Sequence, residues 1–273
     1  MATSTNTSPK PARILIINPN TSESMTRALE PLLNNTLLTS SSSSSTTTTT
    51  TQITYFTSPS PGIPSINSPA DATASTSICL PHILPLLNDY DAFLVACYSQ
   101  HPLVSELQKA ACVAIENGRR KYVTGIFEAS VLSSLALLQG THSSFGIVST
   151  GKVWEEALSE GVVTFLGGGS SSSNRFAGVE TTGLNATDLH DLPAEQVNEK
   201  MKEATKRLLR RGKSPLGPVN AICLGCAGMA GLDEVVRQAC VEELGLELGA
   251  RVHIVDGVKA GVGILMGLVN AGF

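Results

Sequence analysis

With 273 residues, 42% of them hydrophobic, the chain has enough apolar content for one large α/β unit or two related halves. Its net charge of −4 comes from 19 basic and 23 acidic side chains, and the basic runs are short (Arg119-Arg120-Lys121 and Lys206 to Lys213), which argues against nucleic acid as a partner. No apolar run approaches the ~18 residues of a bilayer span, so no membrane partner is expected either.

The polar start, residues 1–12, reads as a tail without the apolar segment of a secretory signal. Six cysteines in such a chain then point to free thiols in a reducing compartment, the cytoplasm. Arg13 to Ile17, RILII, is a continuous apolar run of the kind buried on both faces of a parallel sheet. Asn18-Pro19-Asn20-Thr21 ends it, and Asn20 with Glu23 has the spacing of a capping box opening a helix through about Leu33. Thr39 to Thr51 is thirteen consecutive Ser and Thr residues, expected as a surface loop because it has no apolar side chain to bury. A strand is expected near Ile53 to Phe56, followed by a Pro/Ser/Gly-rich connection through Pro69. Asp71 to Leu87 reads as a helix interrupted at Pro81 and Pro85.

Asp91 to Pro102, DAFLVACYSQHP, is the first stretch with chemical content. Its apolar part reads as a buried strand, and Cys97 falls where that strand ends. Val104, Leu107, Ala111, Ala114 and Ile115 then keep helical spacing, with Gly118 as the stop. Tyr122 to Phe127 is the next expected strand, and Glu128-Ala129-Ser130 opens another helix. Phe145 to Val148 is a strand ended by Ser149-Thr150-Gly151, and its helix carries the only tryptophan, Trp154. Gly167 to Ser173 is a second loop; it lacks the strand–turn–helix setting of a phosphate loop. Glu195 to Arg211 is a long amphipathic helix whose basic residues form a solvated face. Ala221 to Met229, AICLGCAGM, repeats the earlier arrangement by placing Cys226 after an apolar run. Leu232, Val235, Val236, Ala239 and Cys240 form a helical stripe, Val252 to Val255 a strand, and Asp256-Gly257 leads into a closing apolar helix.

Three landmarks recur at nearly one offset. Ile17 and Val148 are 131 residues apart, Cys97 and Cys226 are 129, and Gly125 and Gly257 are 132. The spacing argues for two pseudo-symmetric α/β lobes, each a short parallel sheet flanked by helices, over residues 13–130 and 131–273. Ligands of open α/β sheets bind at strand carboxyl ends, so Cys97 and Cys226 are expected to face each other across the cleft between lobes.

Two acid/base groups on opposite faces of one carbon invert it: one removes the proton and the other returns a proton from behind. A thiol suits the task when a helix N-terminus or cation lowers its pKa, and both cysteines precede expected helices. Negative charge on a substrate carbonyl needs donors. The candidates are Asn18, Asn20, Ser149 and Thr150 at the first strand of each half, with Tyr98 and Ser99 beside one cysteine and the amides of Ala227 and Gly228 beside the other. Asn20, Ser149 and Thr150 read equally as helix caps. His101 reads as a turn residue or a neighbour of Cys97, and Glu128 as a helix start or a substrate contact. Cys79, Cys112 and Cys240 fall in helical patterns and Cys223 inside its strand, all expected to pack as small hydrophobes. Cys223-x-x-Cys226 lacks the second half of a zinc set, so no metal is expected.

The pieces ILIINPNTS (Ile14 to Ser22), GIFEAS (Gly125 to Ser130), LGCAGM (Leu224 to Met229) and IVDGVKAG (Ile254 to Gly261), with the strand ending in Cys97, resemble the aspartate/glutamate/hydantoin racemase superfamily, closest to its hydantoin (allantoin) racemase branch. The resemblance implies a cofactor-independent racemase or epimerase acting on a 5-substituted hydantoin such as allantoin. It further implies Cys97 and Cys226 as the two bases, a small-molecule substrate and a homo-oligomer. The chain departs from the branch at Tyr98-Ser99-Gln100-His101-Pro102, where a small turn containing Gly and Asp is usual. Rival readings are an amino-acid racemase, a decarboxylase or isomerase on the same scaffold, and a two-lobed protein that only binds a small molecule.

Overall fold

The computed structural model describes residues 11–38, 51–114, 120–140, 142–168, 175–212 and 217–273. The polar tail up to residue 10, the Ser/Thr run up to residue 50, Ile115, the Gly118 stop and residues 169–173 of the second loop lie outside them. Among the described residues the chain alternates strands and helices: β1 (Arg13–Asn18), α1 (Glu23–Leu38), β2 (Gln52–Thr57), α2 (Pro69–Ile83), β3 (Ala92–Val95), α3 (Pro102–Val113), β4 (Tyr122–Gly125) and α4 (Ile126–Leu137). The second half continues with β5 (Ser144–Ser149), α5 (Val153–Phe165), β6 (Phe176–Thr181), α6 (Asp188–Asp191), α7 (Ala194–Arg211), β7 (Val219–Gly225), α8 (Asp233–Leu244), α9 (Leu246–Arg251), β8 (His253–Asp256) and α10 (Gly257–Ala271).

The strands build two parallel four-stranded sheets, ordered β2-β1-β3-β4 and β6-β5-β7-β8. The second order repeats the first with four added to every strand number, so β3 and β7 occupy equivalent places. In each sheet the chain leaves its first strand to one side and returns on the other. The connections at the carboxyl ends of β1 and β3, and of β5 and β7, therefore diverge and leave a crevice.

Alternate strand residues face opposite layers. Leu15, Ile17, Phe93 and Val95 bury against Cys79 and Ile83 of α2 and Leu103 and Leu107 of α3. Val148, Ile222 and Leu224 bury against Met201 and Leu208 of α7 and Val236 of α8. The other faces meet in a core shared by both lobes, where Ile14, Ile16 and Leu94 join Phe145, Ile147 and Cys223 through Ile126, Phe127, Val258 and Val262. The helices that fill this layer are exchanged. Helix α4, which follows the first sheet, packs on β7 and β8, while α10, which follows the second, packs on β3 and β4. Glycine permits the close approach, since a Cβ at Gly257 would lie 2.6 Å from the Ile126 carbonyl oxygen.

The structure corrects four local expectations. The strand expected over Tyr122 to Phe127 ends at Gly125, and Ile126 and Phe127 are the first turn of α4. A continuous apolar run does not mark that boundary because both residues are buried in either conformation. Helix α2 runs unbroken through Pro81 and ends at Ile83, before a 3-10 turn over Leu84–Leu86. Proline removes one helical donor there while Cys79 and Ile83 stay buried. Strand β6 was not expected, since Gly178 takes a φ of 108° inside it and breaks the pattern. Cys112, expected in the core, is exposed near the end of α3, whereas Cys79, Cys223 and Cys240 are buried. The basic face of α7 is solvated and paired: Arg207 and Arg211 with Glu180, Arg210 with Glu243, and Lys202 and Lys206 with Glu242.

Candidate active site

The turn after β1 is held by its own side chains. Asn18 accepts from the Asn20 amide at 3.2 Å, and its Nδ2 lies 3.0 Å from Asn20 Oδ1, Thr26 Oγ1 and the Ser22 carbonyl. Its amide is used up inside the turn, so Asn18 leaves the list of substrate donors. The capping box does not form. Asn20 Oδ1 instead accepts from Ser22 N at 2.9 Å, Ser22 Oγ accepts from Met25 N, and Glu23 pairs with Arg27. That arrangement leaves Asn20 Nδ2 to the crevice, with Met25 Sδ beside it at 3.4 Å as its one partner among the described residues.

Cys97 follows β3 in a tight turn, in which Ser99 N donates to the Cys97 carbonyl and His101 N to the Ser99 carbonyl. Ser99 Oγ lies 3.6 Å from Cys97 Sγ. Tyr98 stacks edge-on against Phe127 with centroids 5.7 Å apart. Ser130 Oγ donates to the Phe127 carbonyl, so the 2.7 Å contact between Tyr98 Oη and Ser130 Oγ is a bond donated by the tyrosine. Its hydroxyl is thus spent on α4, and Tyr98 offers the crevice its ring. His101 is buried in the other direction. Its Nδ1 accepts from Leu103 N, which leaves the proton on Nε2 for Ser75 Oγ at 3.0 Å. Burial holds this ring neutral, with a pKa lowered to about 4. It caps α3.

Cys226 follows β7, directly after Gly225. A Cβ on Gly225 would stand 2.7 Å from the Val148 carbonyl oxygen, so glycine is what lets β7 end this close to β5. Ser149 Oγ donates to the Gly225 carbonyl at 2.8 Å, which ties the two strand ends together and removes Ser149 from the candidate donors. Neither Ser149 nor Thr150 caps α5, whose N-cap is Lys152.

Both cysteines line one cavity of about 40 Å³ at the meeting of the two sets of strand ends. With them are Asn20, Tyr98, Thr150 and Ala227 from the expected set, together with Met25, Ser65, Ile66, Ala96, Trp154, Ala186 and Gly225. Asn18, Ser99, Ser149 and Gly228 lie outside this lining. Nothing in the sequence marked Met25, in the first turn of α1, or Ser65, Ile66 and Ala186, which reach the crevice from connections between elements. Trp154 stood out as the lone tryptophan but carried no assignment.

The electrostatics reverse one expectation. Burial pushes the Cys97 thiol up to about 12, against the Ser99 hydroxyl that draws it down, and the Cys226 and Glu128 charges push it further up. Burial also pushes Cys226 up to about 11, although the amides of Gly228 and Met229 point at it and pull down. The amide donors expected beside Cys226 are therefore present and are outweighed by desolvation. Among the described residues, no group of three or more His, Cys, Asp or Glu side chains is placed to hold a metal ion. No helix among the described residues is long and apolar enough to cross a membrane.

Glu128, in the first turn of α4, has a buried Oε2 without a partner among the described residues, and burial raises its carboxyl from 4.5 to about 7. A carboxyl raised in the folded state contributes stability that is complete below the unfolded pKa and is lost as pH rises through the folded one. Between pH 4.5 and 7 that loss is on the order of 3 kcal/mol. Glu128→Gln removes the titration. The stability difference between variant and wild type, from urea unfolding at pH 5 and pH 8, is expected to move in the variant's favour as pH rises. A difference independent of pH would show that Glu128 titrates normally.

Fold and crevice together define a two-lobed α/β protein with a thiol from the equivalent strand of each lobe in one shared cavity. The chain belongs to the Asp/Glu/hydantoin racemase family, whose model matches residues 14–265. An uncharacterized protein of Schizosaccharomyces pombe, C1F7.10, is 32% identical over 258 residues, covering 94% of this chain and 92% of the relative. Allantoin racemase from Pseudomonas fluorescens shares the fold with a TM-score of 0.71 at 24% identity, over 96% of this chain and 92% of its own. Allantoin racemase from Klebsiella pneumoniae does so with a TM-score of 0.67 at 24% identity, over 96% and 89%.

Proposed function

We propose that this protein is a cofactor-independent racemase or epimerase that inverts the acidic ring carbon of 5-substituted hydantoins, with Cys97 and Cys226 as its two acid/base groups. The observation that carries this reading is that the two thiols, from equivalent strands of the two lobes, line one cavity. One sulfur, as thiolate, takes the C5 proton and forms an S–H bond as the C–H bond breaks. The electron pair moves onto the neighbouring carbonyl as an enolate, which the amide of Asn20 and the hydroxyl of Thr150 hold. The opposite thiol then delivers its own proton to the other face and is left as thiolate. The two sulfurs have exchanged roles, and the site is set for the mirror-image substrate.

The lining favours a neutral ring over an amino acid. Among the described residues it contains no Lys, Arg or His side chain, so an α-carboxylate would enter without a cationic partner from them and bear its desolvation cost. The allantoin racemases that share the fold point the same way. The test is a polarimetric screen without added cofactor: hydantoins, allantoin among them, are expected to lose optical rotation, and aspartate and glutamate to keep it. Racemisation of the amino acids alone would refute the hydantoin reading.

A further inference from the structure

The thiol cavity, at about 40 Å³, has room for little more than a few water molecules, less than a substituted hydantoin occupies. A second cavity of about 250 Å³ lies beside it, between the N-terminal turn of α2, the loop after Cys97 and helix α5. Among the described residues, the only one lining both is Trp154. Ser99, whose hydroxyl lies 3.6 Å from the Cys97 sulfur, also belongs to the wall of the second cavity. That wall mixes apolar Ala72 and Leu158 with hydrogen-bonding Thr73, Ser99, Gln100 and Thr164. Trp154 is buried and stands as the partition between the two cavities.

On the hydantoin reading above, we infer that the second cavity is the subsite for the substituent on C5, and that Trp154 is the partition that sets which substituents pass. The ring carbon sits between the sulfurs, and its substituent extends past Trp154. A substituent larger than methyl that carries hydrogen-bonding groups, as a ureido group does, matches the wall. Allantoin and 5-methylhydantoin differ in this group, so their ratio of kcat/KM reads the subsite alone.

Thr73 and Thr164 are exposed helix positions on the cavity's outer rim, where a larger side chain fills space without disturbing the core. Thr73→Phe and Thr164→Phe are expected to lower kcat/KM for allantoin at least about tenfold while 5-methylhydantoin stays within about twofold. Trp154→Phe is expected to shift preference toward 5-benzylhydantoin over 5-methylhydantoin by at least about fivefold. Because Trp154 is the chain's only tryptophan, allantoin binding is also expected to shift the intrinsic emission of wild type, and the shift is expected to shrink in Thr164→Phe. Wild type that racemises hydantoins, with ratios unmoved in both threonine variants, would overturn this subsite and leave the hydantoin reading standing. Wild type that racemises no hydantoin would overturn both.

Discussion

Cys97→Ser and Cys226→Ser are each expected to lower kcat/KM for racemisation by at least about 10³-fold, within the range by which a single acid/base group accelerates proton transfer. Serine keeps the size of the side chain and one donor, but its hydroxyl is far too weak an acid to serve as an alkoxide base. Either loss stops inversion, because each turnover needs a base on one face and an acid on the other. Exchange without inversion separates the two roles. In Cys97→Ser the remaining Cys226 thiolate still removes the proton from the enantiomer whose C–H bond faces it and returns deuterium from D2O to the same face. In Cys226→Ser the other enantiomer is expected to exchange. The measurement is polarimetry beside NMR-detected deuterium uptake from each pure enantiomer. Near-wild-type inversion in either variant would end the two-thiol scheme.

The second large effect is the response to pH. With the thiols raised to about 11 and 12, the form with one thiolate and one thiol is scarce at neutrality, of order one molecule in 10⁴ at pH 7. Its population grows tenfold per pH unit below 11, so kcat/KM is expected to rise roughly a hundredfold from pH 7 to pH 9. The rise levels off near 11 as the first thiol ionises, and loss of the second proton, which the first negative charge opposes, turns the profile down above about 12. Both enantiomers are expected to give the same profile, since a racemase has an equilibrium constant of one and both directions use the same singly ionised pair. A plateau between pH 7 and 9 would show that a thiolate is already present at neutrality. Desolvation would then not govern the site, and the amides of Gly228 and Met229 would.

Much of this protein is written in local spacing. Continuous apolar runs marked the buried parallel strands, the offsets between Ile17 and Val148 and between Cys97 and Cys226 marked two equivalent lobes, and the strand-end rule brought both cysteines to one crevice. The runs and the strand-end positions depend on residues within one strand and its turn, which is the range over which sequence periodicity carries information, and the offsets only compare two such local patterns. Strand β6 escaped because one glycine with positive φ interrupts its pattern. The exchange of α4 and α10 between lobes, the diversion of Ser149 and the Tyr98 hydroxyl into internal bonds, and the placing of Trp154 between two cavities depend on which distant surfaces meet. So does the acidity of the thiols: the turn sequences supply the amides that favour a thiolate, but the desolvation that outweighs them sums over both lobes, and only the folded chain brings those lobes together.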